Sequence, residues 1–269
     1  MKELKNIIET VYEDRKQIKD HKKDIESILD LLDQGKIRVA EQVNGQWQVN
    51  SWVKKGILLN FSVLDMYQEK AGPFEYHDKV PLKSIQSLQG VRVVPGAVVR
   101  RGTFVEESTI LMPSFVNIGA YIGSGSMIDT WATVGSCAQI GSRVHLSGGV
   151  GIGGVLEPPQ ADPVIIEDDV FVGSRAIVVE GVRVCKGAVL GANVVLTQST
   201  PIIDVSNNEE KVVKGIVPEN SVVIPGQRMK KFPAGEYGVP CALIIGKRKE
   251  STNKKTSLNE ALREFAVSV

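Results

Sequence analysis

A chain of 269 residues with 42% hydrophobic content can bury a sizeable core, as one large domain or two smaller ones. Its 32 basic and 31 acidic residues leave a formal net charge of +1, which excludes a global field for holding nucleic acid or an anionic membrane. Cys137, Cys185 and Cys241 are odd in number, far apart and without C-x-x-C spacing, so a disulfide framework and a structural zinc site are excluded in favour of reduced thiols.

The first segment, "MKELKNIIETVYEDRKQIKDHKKD", is charged throughout, has no apolar signal core, and is followed by no run of about 20 apolar residues. The expectation is a cytoplasmic protein with no membrane partner. Leu4, Ile7, Ile8 and Val11 share one helical face, and Ile25, Ile28, Leu29 and Leu32 share another that ends before Gly35. Asn44-Gly45 between β-prone flanks predicts a type I′ hairpin, and "SWVKKGILLNFSVL" predicts a further short helix. These elements make a small α/β cap over residues 1–90, in which His21 and His77 read as solvated surface residues.

From Val98 a large apolar residue returns every six positions: Phe104, Ile110, Val116, Ile122, Ile128, Val134, Ile140, Leu146 and Ile152. Small or β-branched partners follow four positions later, among them Gly102, Ser108, Ser114, Ala120, Ser126, Ala132 and Ala138. The period resumes in a new phase at Ile166, Val172, Val178, Val184, Leu190 and Leu196, with a further piece at Val217 and Val223. A fixed six-residue period marks a parallel β-helix in which each hexad supplies one flat face of a prism. The aliphatic residue points inward and stacks on its equivalents, while the small one lets the chain turn the corner. Flat exposed faces invite packing against copies of the same chain.

Two segments break the period. "GIGGVLEPPQADP", residues 151–163, must leave the prism, and "IIDVSNNEEKVVKG", residues 202–215, reads as a solvated excursion. The C-terminal segment predicts a strand, then a basic loop with Lys247, Arg248, Lys249, Lys254 and Lys255, then a helix opened by a capping box at Ser257 and Glu260. The domain expectation is therefore a cap over 1–90, a β-helix over 91–235 with a loop insertion near 153–163, and a strand-plus-helix tail over 236–269. His145 is the only histidine of the repeat region, too few for a catalytic zinc, so no metal is expected. It reads equally as a structural corner residue or as a proton acceptor.

Nearly end to end, the sequence resembles the tetrahydrodipicolinate N-succinyltransferases of the diaminopimelate and lysine pathway, members of the hexapeptide-repeat acyltransferases. The residues that carry the resemblance are "LKNIIETVYEDR", "KVPLK", "RVVPGAVVRRG", "LMPSFVNIGAYI" and, most specifically, "MIDTWATVGSCAQIG" and "VHLSGGVGIGGVLEP". The resemblance implies a mainly β fold, a left-handed parallel β-helix, assembled as a homotrimer with active sites between subunits. It implies small-molecule substrates and no permanently bound cofactor, with succinyl-CoA as co-substrate donating to the amine of L-2-amino-6-oxopimelate. Asp129 in "MIDTW" matches the family's substrate-binding and catalytic aspartate, and Arg92 in "RVVP" its substrate-binding arginine. Asp129 also follows an inward aliphatic residue, so it should project at a corner or outer face.

The thioester chemistry suggests further candidates. Ser147, Gly148, Gly149, Gly153 and Gly154 offer backbone N–H groups without bulky side chains to a pantetheine arm or thioester oxygen, or serve only to let the chain leave a tight coil. Lys247 and Arg248 could meet nucleotide phosphates, or be a solvated basic face. The family carries a second carboxylate in "GARSEVVEG", where this chain reads "GSRAIVVEG" with Ile177 at that place. Asp129 alone, Glu157, Glu180 or a different acyl preference would have to compensate. An acetyl-CoA-dependent N-acetyltransferase of the same pathway and a non-catalytic trimeric scaffold are the alternatives.

Overall fold

The computed structural model describes residues 1–248; Lys249, Lys254, Lys255 and the helix expected after Ser257 lie outside them. The cap has three helices, α1 (Lys2–Glu13), α2 (Lys22–Asp33) and α3 (Ser51–Val63). Ile8 and Val11 of α1 and Ile25, Ile28, Leu29 and Leu32 of α2 are buried. α3 is apolar nearly all round because it is covered on both sides, by α1 and α2 and by the prism. Ala40–Val43 and Gln46–Val49 pair through Asn44 and Gly45, both at positive φ as the type I′ turn requires. His77 is exposed, whereas His21 is half-buried with Nδ1 3.1 Å from Asp24. A second hairpin, Tyr67–Ala71 with Phe74–Asp78, is largely exposed and has no apolar alternation to mark it in the sequence.

Two-residue strands then build three parallel faces. The first face stacks Arg92–Val93, Ile110–Leu111, Met127–Ile128, His145–Leu146, Phe171–Val172 and Val189–Leu190. The second stacks Val98–Val99, Phe115–Val116, Thr133–Val134, Gly151–Ile152, Ile177–Val178 and Val195–Leu196. The third runs from Phe104–Val105 through Tyr121–Ile122, Gln139–Ile140, Ile165–Ile166 and Arg183–Val184 to Ile216–Val217. The second residue of each strand points inward, and these residues with their small corner partners form one continuous core. Each buried aliphatic contributes on the order of 1.5–3 kcal/mol.

The structure corrects the first three steps of the hexad register. Val99, Val105 and Leu111 are the buried residues, and Val98, Phe104 and Ile110 face outward or lie half-buried. Val105 pairs with Ile122, and Ile122 with Ile140, so the coil containing Met112-Pro113-Ser114 is one residue short. The inward column changes phase across that corner. Gly102 and Ser108, expected to be small inward partners, sit at positive φ in the turns, Gly102 buried under the cap and Ser108 exposed, and the neighbouring Thr103 and Thr109 are buried.

The loop after Ile152 leaves the prism at the corner between the second and third faces, and the phase resumes at Ile166. Residues 202–215 are not a simple excursion. Ile202–Asp204 pairs with Lys211–Val213 and lies parallel to Gly235–Lys247, and Ile202 and Ile203 are buried. Gly235–Lys247 in turn forms a long hairpin with Ser221–Phe232, whose first residues continue the first face.

The cap covers that same second-to-third corner. Ile118 and Cys137 of the prism belong to the cap's core, and Gly119 has no room for a Cβ, which would lie 2.9 Å from Ile57. Burial among these groups pushes the Cys137 thiol up to about 12. Lys54 of α3 is fully buried and donates to the Ala161 carbonyl at 2.6 Å, tying the loop to the cap; burial lowers its pKa. On the third face Arg38 lies 3.4 Å over the Tyr121 ring and donates to Gln139, and Trp47 Nε1 donates to Glu167 at 2.9 Å. The register correction makes a direct prediction. Leu111→Ala should lower unfolding free energy by about 2–5 kcal/mol and Ile110→Ala by about 1 kcal/mol or less, measured by urea denaturation.

Candidate functional site

The cap covers one corner, no described residue of the cap or loop lies over the corner between the first and second faces, and Asp129 stands there, about one-third exposed. Its backbone N–H donates to Leu146 in the next rung, which fixes the main chain. Its Oδ1 accepts from the Thr130 N–H at 2.7 Å and the Thr130 hydroxyl at 3.2 Å, which fixes the carboxylate. The ladder pairing Met127 with His145 sets the imidazole on the neighbouring rung, with Nε2 3.9 Å from Asp129 Oδ2. The His145 ring also lies beside Phe171, centroids 5.1 Å apart. Burial lowers the His145 pKa, and the Asp129 carboxylate offsets part of that.

Ser147, Gly148 and Gly149 occupy the same corner one rung on. The Gly149 N–H donates to the Thr130 carbonyl at 2.9 Å, and the Ser147 N–H to Val172. Gly148 has ordinary φ and room for a Cβ, which would make ordinary contact with the Thr130 carbonyl at 3.4 Å. Gly149 needs its positive φ of 71° and packs on Arg175 of the next rung. Arg175 is exposed and adds a cation to this corner. Its position was not among the sequence candidates, because only the coil stacking shows that it follows Gly149. Trp131, 77% exposed, flanks Asp129 on the same turn.

The other candidates lie elsewhere in the protomer. Arg92 is exposed on the first face, in the same outward column as Met127 but two rungs away, on the order of 10 Å. Gly153 and Gly154 sit at the cap-covered corner, where Cβ atoms would lie 2.7 Å from Val179 and 2.6 Å from Ser136. Their small size is therefore required by packing. Glu157 and Glu180 belong to that corner as well, and Glu180 accepts from the Gln198 N–H. Lys247 and Arg248 lie at the third corner, donating to the Glu219 and Asp169 carbonyls at 2.7 and 2.9 Å. The cavity of about 380 Å³ between cap hairpin and third face is polar, but its groups engage one another: Glu167 with Trp47 and Arg183, Asp168 with the Ser142 N–H. No group of three metal-ligating side chains occurs among the described residues.

Comparison with known proteins decides the family. Family models described as tetrahydrodipicolinate N-succinyltransferase N-terminal and hexapeptide repeat of succinyl-transferase match residues 3–63 and 163–198. Named 2,3,4,5-tetrahydropyridine-2,6-dicarboxylate N-succinyltransferases are similar over nearly the whole chain. The one from Ralstonia nicotianae is 50% identical over 274 residues, covering 97% of this chain and 98% of its own. The one from Ehrlichia ruminantium is 51% identical over 253 residues, covering 89% and 87%. This chain belongs to the tetrahydrodipicolinate N-succinyltransferase family. A solved Campylobacter jejuni chain described as a 2,3,4,5-tetrahydropyridine-2-carboxylate N-succinyltransferase shares the fold, with a TM-score of 0.50 at 17% identity over 82% of this chain and 62% of that one. The hexapeptide match accords with a left-handed parallel β-helix.

Within this family fold, Ile177 occupies the outward side of the second face, paired with Gly151 and Val195. A Cβ on Gly151 would lie 2.7 Å from Ile177 Cδ1, so the glycine makes room for the isoleucine. The corners also separate glycines of different use. Gly154→Ala should cost about 1–3 kcal/mol because Ser136 must move, whereas Gly148→Ala should change stability by no more than about 0.5 kcal/mol, both read from denaturant midpoints.

Proposed function

We propose that this protein transfers a succinyl group from succinyl-CoA to the amino group of L-2-amino-6-oxopimelate, the ring-opened form of tetrahydrodipicolinate, in diaminopimelate and lysine biosynthesis. The observation that carries this reading is the near-complete overlap, at about half identity, with chains named for that activity. The geometry supports it. Acyl transfer from a thioester needs a polar group to hold the amine, a proton acceptor, and donors for the tetrahedral oxyanion. The open corner supplies Asp129, the imidazole of His145 and the backbone of Ser147 to Gly149 within one rung of each other.

Asp129 binds the acceptor amine and is catalytic; Arg92 binds a substrate carboxylate, for which a guanidinium fork is suited. Ser147, Gly148 and Gly149, with Lys247 and Arg248, form the CoA path, whereas Gly153 and Gly154 are packed under the cap and take no part in it. Asp129 with Ser147 to Gly149, Arg92 on the first face, and Lys247 with Arg248 occupy three separate places on one chain, which supports a homotrimer in which neighbouring copies meet and complete each site. The division into a cap (1–90), a β-helix (91–235) and a tail (236–269) follows this use: the cap buttresses the prism from behind. Three unpaired, buried cysteines support a reducing, cytoplasmic setting. No described helix is long and apolar enough to cross a membrane.

The test follows thiol release from succinyl-CoA and acetyl-CoA with 2-aminopimelate as acceptor. Faster release from succinyl-CoA is expected, and Asp129→Asn should lower kcat by about 10²–10⁴-fold with an unchanged circular dichroism spectrum. Faster turnover with acetyl-CoA would instead assign the acetyl donor, and no amine-dependent release with either thioester would leave a scaffold.

A further inference from the structure

The cavity of about 380 Å³ between the cap hairpin and the third face falls within the usual range of small-ligand sites. Its roof is the hairpin of Ala40–Val43 and Gln46–Val49, which Trp47 ties to Glu167 at 2.9 Å and the preceding Arg38 ties to Gln139 at 3.1 Å. Most acceptors here are engaged: Glu106 takes the Tyr121 hydroxyl and the Ser124 N–H, and Glu167 takes Trp47, Arg183 and the Lys186 N–H. The cations are not. Arg38 Nε donates to Gln139, and its two terminal nitrogens have no hydrogen-bond acceptor among the described residues. Sealed side-chain nitrogens and oxygens without a partner are limited to Asn60 Oδ1 and Ser114 Oγ among the described residues, so the Arg38 terminal nitrogens open onto the cavity that Arg38 lines. Lys186, exposed at the rim, also has no partner for Nζ among the described residues. Asp168 Oδ1 accepts from the Ser142 N–H at 2.9 Å, whereas the nearest donor to Oδ2 is Arg143 at 3.6 Å, beyond hydrogen-bond length.

Burial lowers the Arg38 pKa, and Glu106, Glu41 and Asp168 offset this from a distance, not by pairing. A desolvated guanidinium without a bonded anion is costly, and a fork with both terminal nitrogens free matches a carboxylate. A ligand with negative charge alone would meet Glu106, Glu167 and Asp168, and one with positive charge alone would meet Arg38 and Lys186. Opposite charges on one small molecule satisfy both sets. We propose that this cavity binds a free α-amino acid as its zwitterion, with the carboxylate on Arg38 and Lys186 and the ammonium on Asp168 Oδ2. Trp47 and Tyr121 give ring surface to its side chain. A residue inside a peptide lacks this pair of charges on one carbon, so the site selects free amino acids. The cavity lies on the third face and Asp129 at the corner of the other two, so within one protomer the ligand does not touch the catalytic aspartate.

Equilibrium dialysis of the full chain against isotopically labelled glycine, L-glutamate and L-lysine tests this directly. At least one of them should bind once per chain with a Kd of about 1 mM or tighter. Acetate and methylamine, with one charge each, should bind at least about 10-fold more weakly. Lys186→Gln alters an exposed side chain and keeps the backbone N–H that Glu167 accepts, so it leaves the fold intact. It should weaken binding about 10-fold, as should Arg38→Lys, which keeps the charge and loses the fork, and Asp168→Asn, which removes the acceptor of the ammonium. Asp129→Asn should bind as the wild type does. Retention of none of the three amino acids at about 10 mM would overturn the proposal. So would wild-type affinity in Lys186→Gln and Arg38→Lys, loss of affinity in Asp129→Asn, or acetate or methylamine binding as tightly as the amino acids. Thiol release from succinyl-CoA, followed in the same preparations of wild type and Lys186→Gln, reports on acyl transfer separately, so failure of the amino-acid site and failure of the acyl-transfer reading are told apart.

Discussion

Everything in this molecule depends on one constraint: each coil must hydrogen-bond to the next while stacking one aliphatic side chain on its equivalent. The backbone ladder fixes the rung spacing, and the column of Ile122, Ile140, Ile166 and Val184 on the third face, with its counterparts on the other two, keeps the phase. A one-residue shift in such a strand exchanges inside for outside. The short coil at Met112-Pro113-Ser114 does this, and downstream of it Asp129 and His145 reach the surface because Ile128 and Leu146 are the residues turned inward.

The cap and the loop explain why one corner is open. Helices α1 to α3 bury an apolar surface against Ile118 and Cys137, and the loop after Ile152 crosses that same corner, locked by Lys54. A buried ammonium with a single carbonyl acceptor is a costly way to gain stability, so its value lies in fixing where the loop runs. Gly119 there is small because the Ile57 and Cys137 side chains fill its space, and Gly135 and Gly154 because backbone passes over backbone: a Cβ on Gly135 would lie 2.1 Å from the Gly154 nitrogen. At the corner between the first and second faces a Cβ on Gly148 would touch only the Thr130 carbonyl, at 3.4 Å.

That open corner combines rigidity with reach. Asp129 is held by its own main chain and by Thr130, and His145 by the ladder and by Phe171, so neither group depends on the cap or the loop for its position. Arg92, Arg175 and the basic end of the Gly235–Lys247 strand supply cations at three separate places.

The two amphipathic helices, the Asn44-Gly45 turn and the hexapeptide coil were legible in the sequence because each rests on a local period or a local dihedral requirement. So was Asp129, which directly follows an inward residue. The polar hairpin of residues 67–78 was not, since exposed strands carry no apolar alternation. The early phase error had a similar cause: Val98-Val99, Phe104-Val105 and Ile110-Leu111 each offer two adjacent apolar residues, and only packing selects the inner one. Tertiary structure alone also decided that Gly153 and Gly154 belong to a packed corner, that Arg175 packs on Gly149, and that His145 lies 3.9 Å from Asp129. Periodicity specifies what every coil does alone; which side chains meet depends on how many residues each coil contains, and that sum is settled only when the coils stack.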